Sequence, residues 1–223
     1  MNEKFYSFLI VIIRLTLIVS IIGALYFQNW NTLFITILTL ILTLIPNIVK
    51  ERYNINFPIG FHFTIIFLIY AAIFLGEVTN FYDKFWWWDI AMHAISAISL
   101  GLIVFMFLLF LYQGKKLKAK PITISILTFS IALSLGALWE IFEFLMDSIF
   151  GTNMLKSGLL DTMGDLIVGS IGALTASFAG YLYLKQKEFP ILKKFIDYVI
   201  DKNPHLFKRK KRRNHRRNIQ KPL

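Results

Sequence analysis

Residues 88–112 read WDIAMHAISAISLGLIVFMFLLFLY. Past Asp89 and His93 this stretch carries no charged or imidazole side chain. At about 1.5 Å of rise per residue it is long enough to cross a hydrocarbon core of about 30 Å. Five more apolar blocks of similar length flank it, at roughly 5–27, 31–49, 57–76, 121–149 and 160–184. The pattern predicts an all-α fold, a polytopic transmembrane helix bundle of about six spans occupying residues 1–185. Composition agrees: 57% of the 223 residues are hydrophobic, and the mean hydropathy is +0.62. A soluble domain would lie nearer ~45–50% apolar. The first block is too long for the ~7–15-residue apolar core of a secretory signal and has Arg14 in its middle, so it reads as a helix of the bundle.

The breaks between blocks have chemical reasons. Asn29 and Asn31 flank a short turn, Pro58 and Pro121 stand at helix starts where a missing N–H costs little, and Gly151 follows the fifth span. Lys and Arg set the expected orientation. With the N-terminus inside, Lys4, Lys50, Arg52, Lys115, Lys116, Lys118, Lys120 and the basic end of the chain are all cytoplasmic, while Lys84 and Lys156 lie opposite. Both termini are therefore expected in the cytoplasm and the chain in the cell membrane as a multi-pass protein. Tyr82, Phe85, Trp86, Trp87 and Trp88 fall at the outer interface, a depth that amphipathic rings prefer.

The formal net charge of +11 is largely a property of the tail, since nine basic residues follow Phe207 in KRKKRRNHRRNIQK. Residues 186–207 carry Ile191, Leu192, Phe195, Ile196, Val199 and Ile200 at helical spacing, which predicts an amphipathic helix on the cytoplasmic surface. Residues 208–223 read as a basic disordered tail drawn to anionic lipid head groups, at about 1 kcal/mol per basic residue near the surface. No nucleic-acid partner is expected, because no aromatic residues interleave the basic run to stack on bases. Cysteine is absent, which excludes disulfides, thiolate metal sites and a thiol nucleophile.

Three short patterns carry ionisable groups. The fourth span opens with Asp89-Ile-Ala-Met-His93, the fifth ends with Glu140-Ile-Phe-Glu143-Phe-Leu-Met-Asp147, and the sixth opens with Asp161-Thr-Met-Gly-Asp165. Residues three or four apart share a helix face, so each pattern forms a stripe. The predicted orientation brings all three stripes to within about ten residues, roughly 15 Å, of the outer boundary. Three carboxylates on the fifth span could cost up to about 8–10 kcal/mol on insertion, against roughly 5–9 kcal/mol returned by its Leu, Ile and Phe residues. Such carboxylates must turn inward and find partners. Ala97 and Gly101 below His93, Gly136 before Glu140, and Gly169, Gly172, Ala173, Ala176 and Gly180 of the sixth span are small residues of the kind that let helices approach closely.

A pocket of six carboxylates with one imidazole, and Arg14 as a candidate counter-charge, has two resolutions. Several carboxyls are protonated or paired, or a cation sits among them. Asp89, His93, Glu140, Glu143, Asp161 and Asp165 are the candidate metal ligands, with Asp147 at the rim. An oxygen-rich set with a single imidazole suits Mg²⁺, Mn²⁺ or Ca²⁺ ahead of Zn²⁺ or Fe²⁺. His62 reads as a packed or hydrogen-bonded residue, and Glu77 as an interfacial charge able to join the rim. No nucleophile elbow or phosphate-binding glycine loop is present.

On WWWDIAMHAISAISLG, ALWEIFEFLMD and LLDTMGDLIVGSIGAL, the chain resembles a group of small bacterial and archaeal inner-membrane proteins classed as a domain of unknown function (YjdF-like). The resemblance covers spans three to six and implies a multispan membrane protein. A looser similarity is to the VanZ-like family, from which the chain departs at Ile90, His93, Glu143 and Asp165. Three functions remain open at this point. One is a divalent-metal-dependent enzyme that activates water or polarises a phosphoryl group on a lipid-linked substrate. The others are a proton- or cation-coupled transporter and a non-catalytic membrane or resistance factor.

Overall fold

The computed structural model describes residues 3–113, 117–185 and 190–206; the basic tail predicted at 208–223 lies outside them. Among the described residues, six helices are long and apolar enough to cross a membrane. They are α1 (Glu3–Tyr26), α2 (Trp30–Tyr53), α3 (Ile59–Ile69, running on as a π-helix through Tyr70–Val78), α5 (Trp88–Gln113), α6 (Pro121–Phe150) and α7 (Leu159–Leu184). A short α4 (Phe81–Lys84) leads into α5, and α8 (Pro190–Lys202) follows the last span.

Local chemistry ends the helices where the sequence punctuates them. The Asn29 side chain accepts from the Thr32 N–H at the start of α2, and Asn54 closes that helix in the left-handed conformation. Pro121 occupies the first turn of α6, and Gly151 ends it at φ +66°. Pro46 is contained within α2, and the span runs beyond the predicted boundary at 49 to Tyr53. The π-helical end of α3 carries the third span to Val78, past the predicted 76. It also brings Glu77 to the end of the bundle where α5 begins.

The spans pack as two groups of three. α1 lies on α2 and α3, while α7 lies on α5 and α6, and α3 joins the groups through α5. α5 and α7 run parallel and pack closely. A Cβ placed on Gly172 would lie 2.8 Å from the Ala97 Cβ and 3.0 Å from the Ala94 carbonyl oxygen. One on Gly101 would lie 2.5 Å from the Ala176 Cβ, and one on Gly180 would meet the Phe105 ring at 2.5 Å. These small residues are therefore interface residues, as the sequence suggested. Gly136 and Gly169 are different, with open space where a side chain would go.

At the end opposite Asp89, α8 turns its apolar face to protein. Leu192, Ile196 and Val199 are buried in a core with Val104, Phe105, Leu108, Leu109 and Ile124. Asn203 is fully buried; its side chain accepts from the Asn56 N–H at 2.6 Å and donates to the Asn56 carbonyl at 2.8 Å. The helix thus caps the bundle and ties it to the α2–α3 connection.

Gly172→Ala is expected to destabilise the bundle by about 1–3 kcal/mol through overpacking of a backbone contact. Gly136→Ala, which meets nothing, is expected to be neutral or mildly stabilising through helix propensity. Denaturant unfolding in detergent micelles compares the two; equal effects would contradict the α5–α7 contact.

Candidate functional site

His93 lies one turn into α5, in line with Asp89 on the same face, and is the hub of the site. Its Nε2 lies 3.5 Å from an Asp89 oxygen and 3.8 Å from an Asp165 oxygen, while its Nδ1 lies 3.8 Å from Glu140 Oε1. One imidazole is thereby flanked by carboxylates from α5, α6 and α7. Glu140 and Asp165 are buried, with relative exposures of 6% and 5%. Glu143, also buried, accepts a 2.9 Å hydrogen bond from the Trp139 indole N–H. Glu140 Oε2 is buried and has no hydrogen-bond partner, an arrangement that ordinarily carries a desolvation penalty of about 1–3 kcal/mol or more for a charged group.

Two sets of atoms are close enough to hold one ion: Asp89, His93 and Asp165, and His93, Glu140 and Glu143, with each set's ligand atoms within 4.8 Å of one another. They share the imidazole, with Asp89 and Asp165 near its Nε2 and Glu140 near its Nδ1. Beside the first set lies a narrow hollow lined by Glu77, Tyr82, Asp89, Glu143, Met154, Lys156, Asp161 and Asp165. Asp161 therefore joins the group as a lining residue, one turn ahead of Asp165.

Asp147 has a different task. Its Oδ1 accepts from the Thr152 hydroxyl at 2.6 Å and the Met154 N–H at 2.7 Å, and its Oδ2 from the Leu155 N–H at 2.9 Å. Both oxygens are used in folding the 151–158 connection. Two glycines at positive φ, Gly151 and Gly158, bend that connection, and Lys156 itself sits at φ +42°. A lysine in that region is strained by roughly 1–3 kcal/mol, which the Asp147 bonds help offset.

Arg14 does not reach the cluster. It donates to the Thr43 carbonyl at 3.0 Å, between α1 and α2. Among the described residues, the cation beside the carboxylates is Lys156, whose Nζ is 3.9 Å from Glu77 and 5.4 Å from the Tyr82 ring centroid. Burial, reinforced by Asp89 and other nearby carboxylates, pushes the Tyr82 phenol well above its ordinary range and keeps it protonated. His62 is paired with Asn47 at 2.7 Å, as a packed histidine should be. The tryptophan triplet divides: Trp86 and Trp87 are exposed, whereas Trp88 is buried against Phe81. Sequence spacing could have revealed the Trp139–Glu143 pair, four residues apart on one helix. Nothing in spacing links Glu77, Tyr82 and Lys156, which arrive from separate elements.

A family model described as predicted membrane protein (DUF2238) matches residues 5–186. The chain belongs to that family. The DUF2238 match takes in all six spans and every carboxylate of the site, more than the four spans on which the resemblance was first legible. A protein of Thermotoga maritima, described as uncharacterized, is 30% identical over 112 residues, which are 48% of this chain and 57% of that protein. The chain therefore matches little more than half the length of this relative. No solved structure matches.

Asp147→Ala is expected to release the Met154 and Leu155 amides and loosen the 151–158 connection, since each lost bond to a charged acceptor is worth about 1.5–3 kcal/mol. Faster amide exchange confined to residues 152–156 is the expected readout; unchanged exchange there would remove Asp147 from this role.

Proposed function

We propose that this membrane protein holds a divalent cation between α5, α6 and α7 and uses it to act on a lipid-linked substrate at the non-cytoplasmic leaflet. The observation that carries the reading is the pairing of His93 with three carboxylates while Glu140 keeps a buried, unpartnered oxygen. A positive ion offsets this concentration of acceptors.

The two ligand sets imply a division of labour. A cation on Nε2 is held by Asp89, His93 and Asp165, on the side of the hollow where Asp161 and Glu143 add oxygens. Nδ1–H then donates towards Glu140, which fixes the tautomer and raises the basicity of the ligand nitrogen. Oxygen donors with one imidazole favour Mg²⁺, Mn²⁺ or Ca²⁺ over Zn²⁺ or Fe²⁺. Such an ion lowers the pKa of a bound water and polarises an oxygen of the substrate. A carrier is less well supported, because the carboxylates gather at one end while Arg14 and His62 make separate pairs in the α1–α3 half.

The expected orientation follows from Lys and Arg, with both termini cytoplasmic and the basic tail facing anionic lipid head groups. The absence of cysteine makes this simple to test. A cysteine at Asn153 is expected to react with an impermeant thiol reagent in intact cells and one at Ala119 is not; the reverse pattern would turn the protein over.

Purified protein in chelator-free buffer is expected to contain about one divalent cation per chain by elemental analysis. His93→Ala should lose it, and Glu140→Gln should bind about 10–100-fold more weakly, as is usual when the group orienting a ligand histidine is changed. Well-folded wild type that neither contains nor takes up Mg²⁺, Mn²⁺, Ca²⁺, Zn²⁺ or Fe²⁺ would defeat the reading.

A further inference from the structure

We propose that Arg14 binds the phosphate of an anionic lipid seated on the α1–α2 surface, a site separate from the carboxylate cluster. Arg14 lies midway along α1 (Glu3–Tyr26), roughly 17 Å of helix from either end. A guanidinium presents five N–H donors and keeps its charge in a protein. Among the described residues, the Thr43 carbonyl, 3.0 Å from Nη2, is its one hydrogen-bond partner. Its Nε is buried with no partner, and no carboxylate of the described residues is paired with the group. Pro46 accounts for the bond that is made, because its missing N–H interrupts the α2 ladder at the Leu42 carbonyl, next to Thr43. A carbonyl dipole takes one N–H and leaves the charge unmatched, a costly state at mid-span.

The missing counter-charge has to come from outside the fold. Val11 and Ile18, which share a helix face with Arg14, are 53% and 44% exposed, so the open side of the guanidinium borders lipid. Helical side chains lean toward the N-terminus of their helix, and the Lys and Arg pattern predicts that end of α1 in the cytoplasm. The guanidinium therefore leans toward the cytoplasmic leaflet. A lipid phosphate drawn below its own plane meets it there, through the snorkelling and local bilayer thinning that relieve an intramembrane arginine. In the same region His62 is paired with Asn47, one turn from Thr43, and both Arg14 and Lys50 lie within electrostatic range of His62. N–H donors and cations suit phosphate oxygens, which the guanidinium fork takes in pairs, and they disfavour a head group that carries its own cation. A second copy of the chain offers no match. Its described carboxylates lie toward the ends of the bundle or, like Glu140, are buried within it.

The test uses full-length protein in phosphatidylcholine nanodiscs titrated with dioleoyl phosphatidylglycerol. Native mass spectrometry counts the lipids that each chain retains, and solid-state NMR measures coupling between arginine side-chain nitrogens and lipid phosphorus. Wild type is expected to retain phosphatidylglycerol in preference to phosphatidylcholine. Arg14→Gln should weaken that retention at least fivefold; it carries the same basic tail as the wild type, so the difference belongs to Arg14. Arg14→Lys keeps the charge and tests the site even where Gln prevents folding. Its retention should fall less, and one nitrogen–phosphorus coupling of the wild type should be missing. Excess inorganic phosphate is expected to leave the lipid in place. Equal retention by wild type and a folded Arg14→Gln, or spectra of wild type and Arg14→Lys with the same couplings, would overturn the inference. Displacement by inorganic phosphate would overturn the lipid assignment, as would cross-linking of Arg14 positions to a carboxylate of a second chain in place of lipid.

Discussion

The contact between α5 and α7 governs the arrangement of this protein. Gly172 lies against the Ala94 carbonyl and the Ala97 methyl, and Gly101 against Ala176, so the two backbones approach as closely as small residues permit. Lipid chains are as apolar as Leu side chains, so helices in a bilayer gain little from hiding hydrophobic surface from one another. Close packing and polar contacts must hold them. Both operate along this seam. The small residues fix its depth and parallel register, and that register sets Asp165 of α7 beside His93 of α5. A shift of one turn, about 5.4 Å, would separate them.

The same seam reconciles the acidic groups with the membrane. A carboxylate facing lipid is costly, and a helix as acidic as the end of α6 inserts stably only with its carboxylates turned inward. Glu140 and Glu143 do turn inward and are buried. Glu143 is satisfied by Trp139 of its own helix, while Glu140 is incompletely satisfied beside an imidazole. The contrast singles out Glu140 and His93, rather than total charge, as the centre of the site. Acidic residues alone can be structural, as Asp147 illustrates by giving both oxygens to the connection that carries Lys156.

The two ends of the bundle are finished differently. At one, the 151–158 connection and α4 enclose a polar hollow. At the other, α8 turns its apolar face inward and Asn203 anchors it to Asn56. A helix with an apolar stripe and a charged stripe satisfies a lipid surface and a protein surface equally well, so its periodicity identifies the helix without identifying its partner.

Hydrophobic block length determined the six spans, and three- and four-residue spacing determined which ionisable groups share a helix face, because both depend on local geometry. Asp89 with His93 and Asp161 with Asp165 were legible for that reason, as were the glycines and alanines of α5 and α7. Only tertiary structure could decide which stripes meet. It separated Gly172, a contact, from Gly136, which faces open space. It sent Arg14 to the Thr43 carbonyl and brought Lys156 to Glu77 and Tyr82. Those pairings depend on how helices rotate about their axes and how a connection folds back, quantities set by packing between distant segments and not by any periodicity within one of them.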